Sequence, residues 1–259
     1  MGKYSGRIKG GAYCNMGEMS SKAKLKWKDT KIISVLILFA TIILVFLIYG
    51  DTYHLTGETE ILSAAISDYI PDQRIKAEIE LTYKEGDWMY IIFSDSQYGD
   101  CFMGLALLKR GWNGRYVIRS TQYGSGPVVR MDMKPNDKNH VILYGLIQDG
   151  LAVRYEYTKS VQDIYSEVMY QGNIDKGAFF HVQENKGNWV TSFRLFDGDG
   201  KDVTENYLNR QRRDAPNGTV ATAELFMVDV QCIVILLVGS GLAISRNRTI
   251  KSRNIQRKQ

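Results

Sequence analysis

Hydrophobic positions along this chain follow three patterns. Two unbroken apolar runs lie near the ends, and between them is a long stretch in which apolar and polar residues alternate. The first run, Ile32 to Tyr49, has eighteen residues and no charge. As a helix it rises roughly 27 Å at about 1.5 Å per residue, close to the thickness of a bilayer's hydrocarbon core. A surface helix of a soluble domain carries a polar face. Here only Ser34 and Thr41 interrupt the apolar surface. The pattern predicts a membrane span over 32–50. The second run predicts a span over Leu225–Ser245, with an uncharged core from Ile233 to Ile244. Asp229 and Gln231 lie near its start. A carboxylate is costly in lipid, but Asp229 is only about one turn from the end of the run, where headgroups are within reach.

Between the runs, Ile61, Leu62, Ala65, Ile66 and Tyr69 recur at helical spacing. They predict a helix over Thr56–Tyr69 with Thr59 as its cap, ended by Pro71 and Asp72. From Arg74 the period changes to two. Ala77, Ile79 and Leu81 alternate with Glu78, Glu80 and Thr82 as a first strand before the turn Glu85-Gly86-Asp87, and further strands are predicted at Trp88–Ser94, Cys101–Lys109 and Arg115–Gln122. The polar stretch Met133–Asn139, with Pro135, is the expected internal boundary. Strands resume at His140–Ile147, Leu151–Thr158, Tyr165–Gln171, Gly177–Glu184 and Trp189–Phe196, with a short one at Lys201–Thr204. Residues 205–224 read as a linker. The expected fold class is α+β: a mostly antiparallel β unit over 51–224, with candidate halves 56–133 and 139–208, between two transmembrane helices. The second half suits a small sandwich or a continuation of the first sheet.

Charge orients this arrangement. Residues 1–31 hold eight Lys or Arg against two acids, a net of +6. Residues 246–259 hold six and no acid, again +6. Residues 51–224 hold 19 bases and 25 acids, a net of −6. Lys and Arg beside span ends mark the cytoplasmic side. Two spans place both ends on one side, so the count of spans and the charge pattern agree. The expected topology is a two-pass plasma-membrane protein with both ends cytoplasmic and the middle extracytoplasmic. The glycine- and lysine-rich tail 1–31 reads as disordered. Its Lys22, Lys24, Lys26, Lys28 and Lys31, with Trp27 among them, are candidates for contact with anionic headgroups at about 1 kcal/mol each.

A cleaved signal peptide is disfavoured by the long basic leader and by Leu47–Asp51, which lacks small residues at the cleavage spacing. The three cysteines, Cys14, Cys101 and Cys232, fall into three different compartments of this topology. One cysteine in 174 outer residues is unlike a disulfide scaffold and fits a bacterial envelope protein.

No motif carries catalytic specificity. Asp197, Asp199 and Asp202 supply alternating carboxylates that calcium favours, so they are the candidate metal ligands. However, Lys201 occupies a ligand position of the EF-hand spacing and Leu208 stands where that loop needs Glu. Asp-Gly pairs are also the strongest hairpin turn signal, and the turn is the favoured reading. Gly124-Ser125-Gly126 lacks the spacing of a nucleophile elbow, and a flexible loop is the favoured reading. His54, His140 and His181 show no paired metal spacing. Trp88 and Trp189 read as core. Trp112, in a turn between glycines, is the candidate contact residue for a partner. Gly239 and Ala243 have the small-xxx-small spacing that lets helices approach closely. The basic charge sits in the tails and the folded part is acidic, which argues against nucleic acid. No cofactor is expected.

These readings predict a membrane-anchored binding or scaffold domain without catalysis. It would meet the bilayer and a protein or envelope partner, as a subunit of a larger envelope assembly. Two alternatives are an envelope hydrolase with a site assembled from distant residues, and an accessory subunit of an oligomeric transporter. Converging Asp, His or Ser side chains in a pocket would favour the hydrolase, and an aromatic surface would favour binding.

Overall fold

The computed structural model describes residues 16–71, 74–99, 102–133, 140–161, 165–174, 177–184, 190–208, 216–222 and 225–256. Its elements in chain order begin with helices α1 (Met16–Thr52) and α2 (Thr59–Tyr69). Strands β1 (Glu78–Glu85), β2 (Trp88–Ser94), β3 (Met103–Arg110), β4 (Tyr116–Ser125), β5 (Val128–Met133) and β6 (His140–Leu146) follow. Next come β7 (Arg154–Val161), β8 (Tyr165–Asn173), β9 (Ala178–Glu184) and β10 (Val190–Phe196). The short helix α3 (Glu205–Leu208), strand β11 (Gly218–Ala221) and helix α4 (Leu225–Gln256) complete the chain. The chain divides into two compact units: the long terminal helices, and Gly50–Leu225.

In the helical unit, Ile32–Thr52 and Met227–Thr249 are long and apolar enough to cross a membrane. Most of their large apolar side chains face outward, with Leu237 68% exposed. Small and polar residues mark the closest approach of the helices. A side chain at Gly239 would collide with Thr41, and Ala243 is 3% exposed. The buried Ser34 hydroxyl donates to Asn247 Oδ1 at 3.3 Å and lies 3.5 Å from the Ala243 carbonyl. Both helices run past the apolar segments, to Met16 and to Gln256. The basic stretches 16–31 and 246–256 are therefore helical extensions, where composition alone predicts separate and, at the N-terminus, disordered tails. The side chains of Lys22, Lys24, Lys26, Trp27, Lys28 and Lys31 lie outside the described residues, as do Cys14, Cys101 and Trp189.

The second unit is built of layers. Sheet order β1-β2-β3-β4-β11 places β2 and β3 centrally, and both are buried on both faces. One face takes Met89, Ile91, Phe93, Ala106 and Leu108, packed under Leu62 and Ile66 of α2. The other takes Tyr90, Ile92, Leu105 and Leu107, packed on Ile142, Tyr144 and Leu146 of β6. That strand is central in the sheet β5-β6-β9. Its opposite face presents Leu143, which joins Phe179, Tyr155 and Leu195 in a third core against the sheet β10-β7-β8. The near-continuous apolar run of β6 follows from being covered on both sides. Each such side chain contributes about 1.5–3 kcal/mol on burial.

Helix α2 is too short to stand alone in water. Its N-cap is Glu58, which makes no side-chain cap bond, so the cap expected at Thr59 is not formed. Packing holds it instead, together with Ser63 and Ser67. The Ser63 hydroxyl donates to the Ala77 carbonyl, and the Ala77 N–H donates to Ser67 Oγ at 2.9 Å.

The structure departs from the sequence pattern in four more places. Strand β5 forms where no strand is expected, and it pairs β6 with Met133 opposite His140, so the expected boundary falls between two paired strands. The supposed linker supplies α3 and β11, and β11 closes the first sheet against β4. Lys201–Thr204 makes a single bridge, Phe196 to Asp202, rather than a strand. Gly124 and Ser125 complete β4 rather than form a free loop; Gly124 has φ +71°, and a side chain there would collide with Pro216 and Asn217.

Candidate functional site

Glycines opposite aromatic rings set up the most distinctive surface of the β unit. Tyr155 lies over Gly172 and Phe179 over Gly145, each directly across the ladder. A glycine leaves room for a cross-strand ring to lie flat on the backbone. Tyr155 and Phe179 thus stack on each other, centroids 4.7 Å apart and planes 24° apart. They line a cavity of about 350 Å³ whose other walls are Glu80, Leu81, Thr82 and Tyr83 of β1 with Asn173 and Phe180.

The cavity lies where three sheet edges converge, since β1, β8 and β9 are each the outer strand of their sheet. Phe180 sits 4.9 Å from the rings of both Tyr83 and Tyr90. Tyr170 on β8 stacks on His181 at 4.0 Å and stands 5.9 Å from Tyr155. A second cavity of about 410 Å³, lined by Glu80, Ile147, Val153 and Ile174 among others, shares Glu80 with the first. Glu80 Oε1 accepts the Ser94 hydroxyl at 2.6 Å.

Burial dominates the electrostatics. It pushes Tyr90 up to about 12, with Glu85 and Tyr83 adding to the effect. Burial raises Tyr83 as well, helped by Glu85 and Tyr170. Burial also raises Tyr155, helped by Tyr170. These phenols are neutral hydroxyl donors at physiological pH. His181 is pushed below its usual range by burial alone. Its Nε2 is buried without a hydrogen-bond partner among the described residues. The cleft therefore offers flat rings, neutral donors, strand edges and one carboxylate. That chemistry holds apolar groups and an extended backbone.

The residues singled out by sequence lie elsewhere and are not brought together. Asp197 Oδ1 accepts the N–H groups of Asp199 and Lys201 at 3.1 and 2.8 Å. Asp202 Oδ1 accepts the N–H and hydroxyl of Thr204 at 3.0 and 2.6 Å, and its Oδ2 lies 3.9 Å from Arg194. The Thr204 hydroxyl chiefly holds the Asp202 carboxyl below the usual carboxylate range. These carboxylates organise the β10–α3 turn. No group of three His, Cys, Asp or Glu suited to a metal occurs among the described residues. Trp112 is 58% exposed in the β3–β4 turn. Gly239 and Ala243 line the helix contact. Tyr83, Tyr155, Tyr170, Phe179, Phe180 and His181 had no motif to mark them; only their frequency in strands hinted at an aromatic cluster. No protein-family model, curated protein or solved structure matches the chain.

Proposed function

We propose that this chain is a two-pass plasma-membrane protein whose extracytoplasmic middle unit binds an extended segment of a protein partner, as a non-catalytic subunit of an envelope assembly. The observation that carries the reading is the cleft at the β1, β8 and β9 edges, where strand edges without a neighbouring strand among the described residues and aromatic rings face one space. Strand edges supply main-chain hydrogen bonds to an added strand, and pockets select alternate side chains. The charge pattern of basic ends and acidic middle supports cytoplasmic termini. Rings, phenols and backbone edges converge at the cleft, which favours binding over hydrolysis.

The test is site-specific photocrosslinking in native membranes. A benzophenone side chain replaces Tyr83 or Tyr170 in the cleft, or Asp199 in a distant turn. We expect one discrete protein adduct from the two cleft positions and none from Asp199. Adducts equal at all three positions, or absent from the cleft, would sink the reading.

A further inference from the structure

A β-bulge places the carboxylate of the cleft. On β1, Ile79 lies opposite Phe93 and Leu81 opposite Ile92, so Glu80 is an extra residue without a counterpart across the ladder. In a regular strand, residues two apart share a face. Here Ile79 packs into the core under α2, and Leu81 into the core against β6. Bulges at sheet edges re-aim a side chain. At this edge the side chain is Glu80, and it lines both the cavity of about 350 Å³ and its neighbour of about 410 Å³. The buried Ser94 hydroxyl on β2 donates to Glu80 Oε1 at 2.6 Å and anchors the carboxyl there.

Among the described residues, Glu80 is the one charged side chain lining either cavity. The basic side chains of neighbouring strands are engaged elsewhere. Lys84 of β1 lies over the Tyr116 ring, 5.9 Å from its centroid. Arg154 of β7 is bound to Glu156 at 2.6 Å and lies over Phe196. Beside Glu80, the rings of Tyr83, Tyr155, Phe179 and Phe180 line the first cavity. Ring faces carry partial negative charge and attract cations, the more so where water is excluded. A carboxylate among rings therefore suits a cation on two counts and repels an anion.

We infer that Glu80 selects a lysine or arginine side chain on the extended segment held in the cleft, with the surrounding rings packed on that cation. The inference rests on the cleft being a binding site for such a segment. Charge complementarity and the bulge that sets Glu80 between the two cavities carry it.

The test uses the full chain in native membranes, with the benzophenone side chain at Tyr170, and compares the parent with Glu80→Gln and Glu80→Lys. Glutamine keeps an oxygen to accept the Ser94 hydroxyl and removes only the charge. We expect the adduct to fall by about tenfold in Glu80→Gln, as for loss of one member of a partly desolvated ion pair. Rising salt should weaken the parent's adduct and leave the residual adduct of Glu80→Gln unchanged. Mass spectrometry of the parent's adduct should place a Lys or Arg of the partner within a few residues of the crosslink. Changing that residue to Glu should restore the adduct to Glu80→Lys, which a merely structural role for Glu80 would not do. A parent-level adduct in Glu80→Gln, or a charge exchange that restores nothing, would overturn the inference and leave the cleft reading standing. Absence of any adduct in the parent would overturn both.

Discussion

Phe93 lies over Gly104 directly across the β2–β3 ladder, and the ring leaves no room for a side chain there. Gly104→Ala should therefore cost about 1–3 kcal/mol, the usual range for overpacking a core. The Gly104→Ala, Phe93→Leu double variant should cost less than the sum of the two, because the smaller side chain vacates the space. Urea unfolding followed by intrinsic fluorescence measures both, and strict additivity would refute the pairing. His181 makes a different prediction. Burial holds its folded pKa below the unfolded value of about 6.5. The unfolded state then binds the proton more readily, so stability falls as pH drops through about 6.5 and levels off below the folded pKa. His181→Gln should flatten that acid limb of the unfolding midpoint against pH, and an unchanged limb would assign it to other groups.

At the scale of elements, the helix pair is the sharpest case. The contact is built on Gly239, Ala243, Thr41 and Ser34, and close packing of small residues is what holds helices together in lipid. Ser34→Cys with Asn247→Cys, in a chain whose native cysteines are serine, should form a disulfide readily in membranes. Adding Gly239→Ile should slow that oxidation strongly, by forcing the helices apart at Thr41. Equal rates would show that the small residues do not set the contact. Long periodic elements are legible: the pattern predicts α2 and nine of the eleven strands among the described residues to within a few residues. It predicts neither β5 nor β11. Strand β11 has only four residues, too few for a period to register, and it forms because β4 offers an edge. Strand β5 sits just before the stretch around Pro135, whose turn chemistry reads equally as a hairpin or a boundary.

At the scale of the whole molecule, the proposed topology predicts that a membrane-impermeant thiol reagent applied to intact cells leaves Cys14 unmodified until the membrane is breached. Modification of Cys14 in sealed cells would invert the orientation. The apolar runs, the charge reversal between tails and middle, and the alternating strands are properties of neighbours in sequence. The two long apolar segments, the expected orientation and the antiparallel α+β class therefore follow from the chain read linearly. The layering of α2 on one sheet and that sheet on another depends on which strand edge meets which, set by pairings across long sequence distances such as β6 with β9 and β4 with β11. The cleft belongs to the same category. Tyr83, Tyr155 and Phe180 are ordinary strand aromatics in sequence, and only the convergence of three sheet edges places their rings around one cavity. Trp112 belongs with the linear features, because its exposure in a glycine turn is readable from its neighbours.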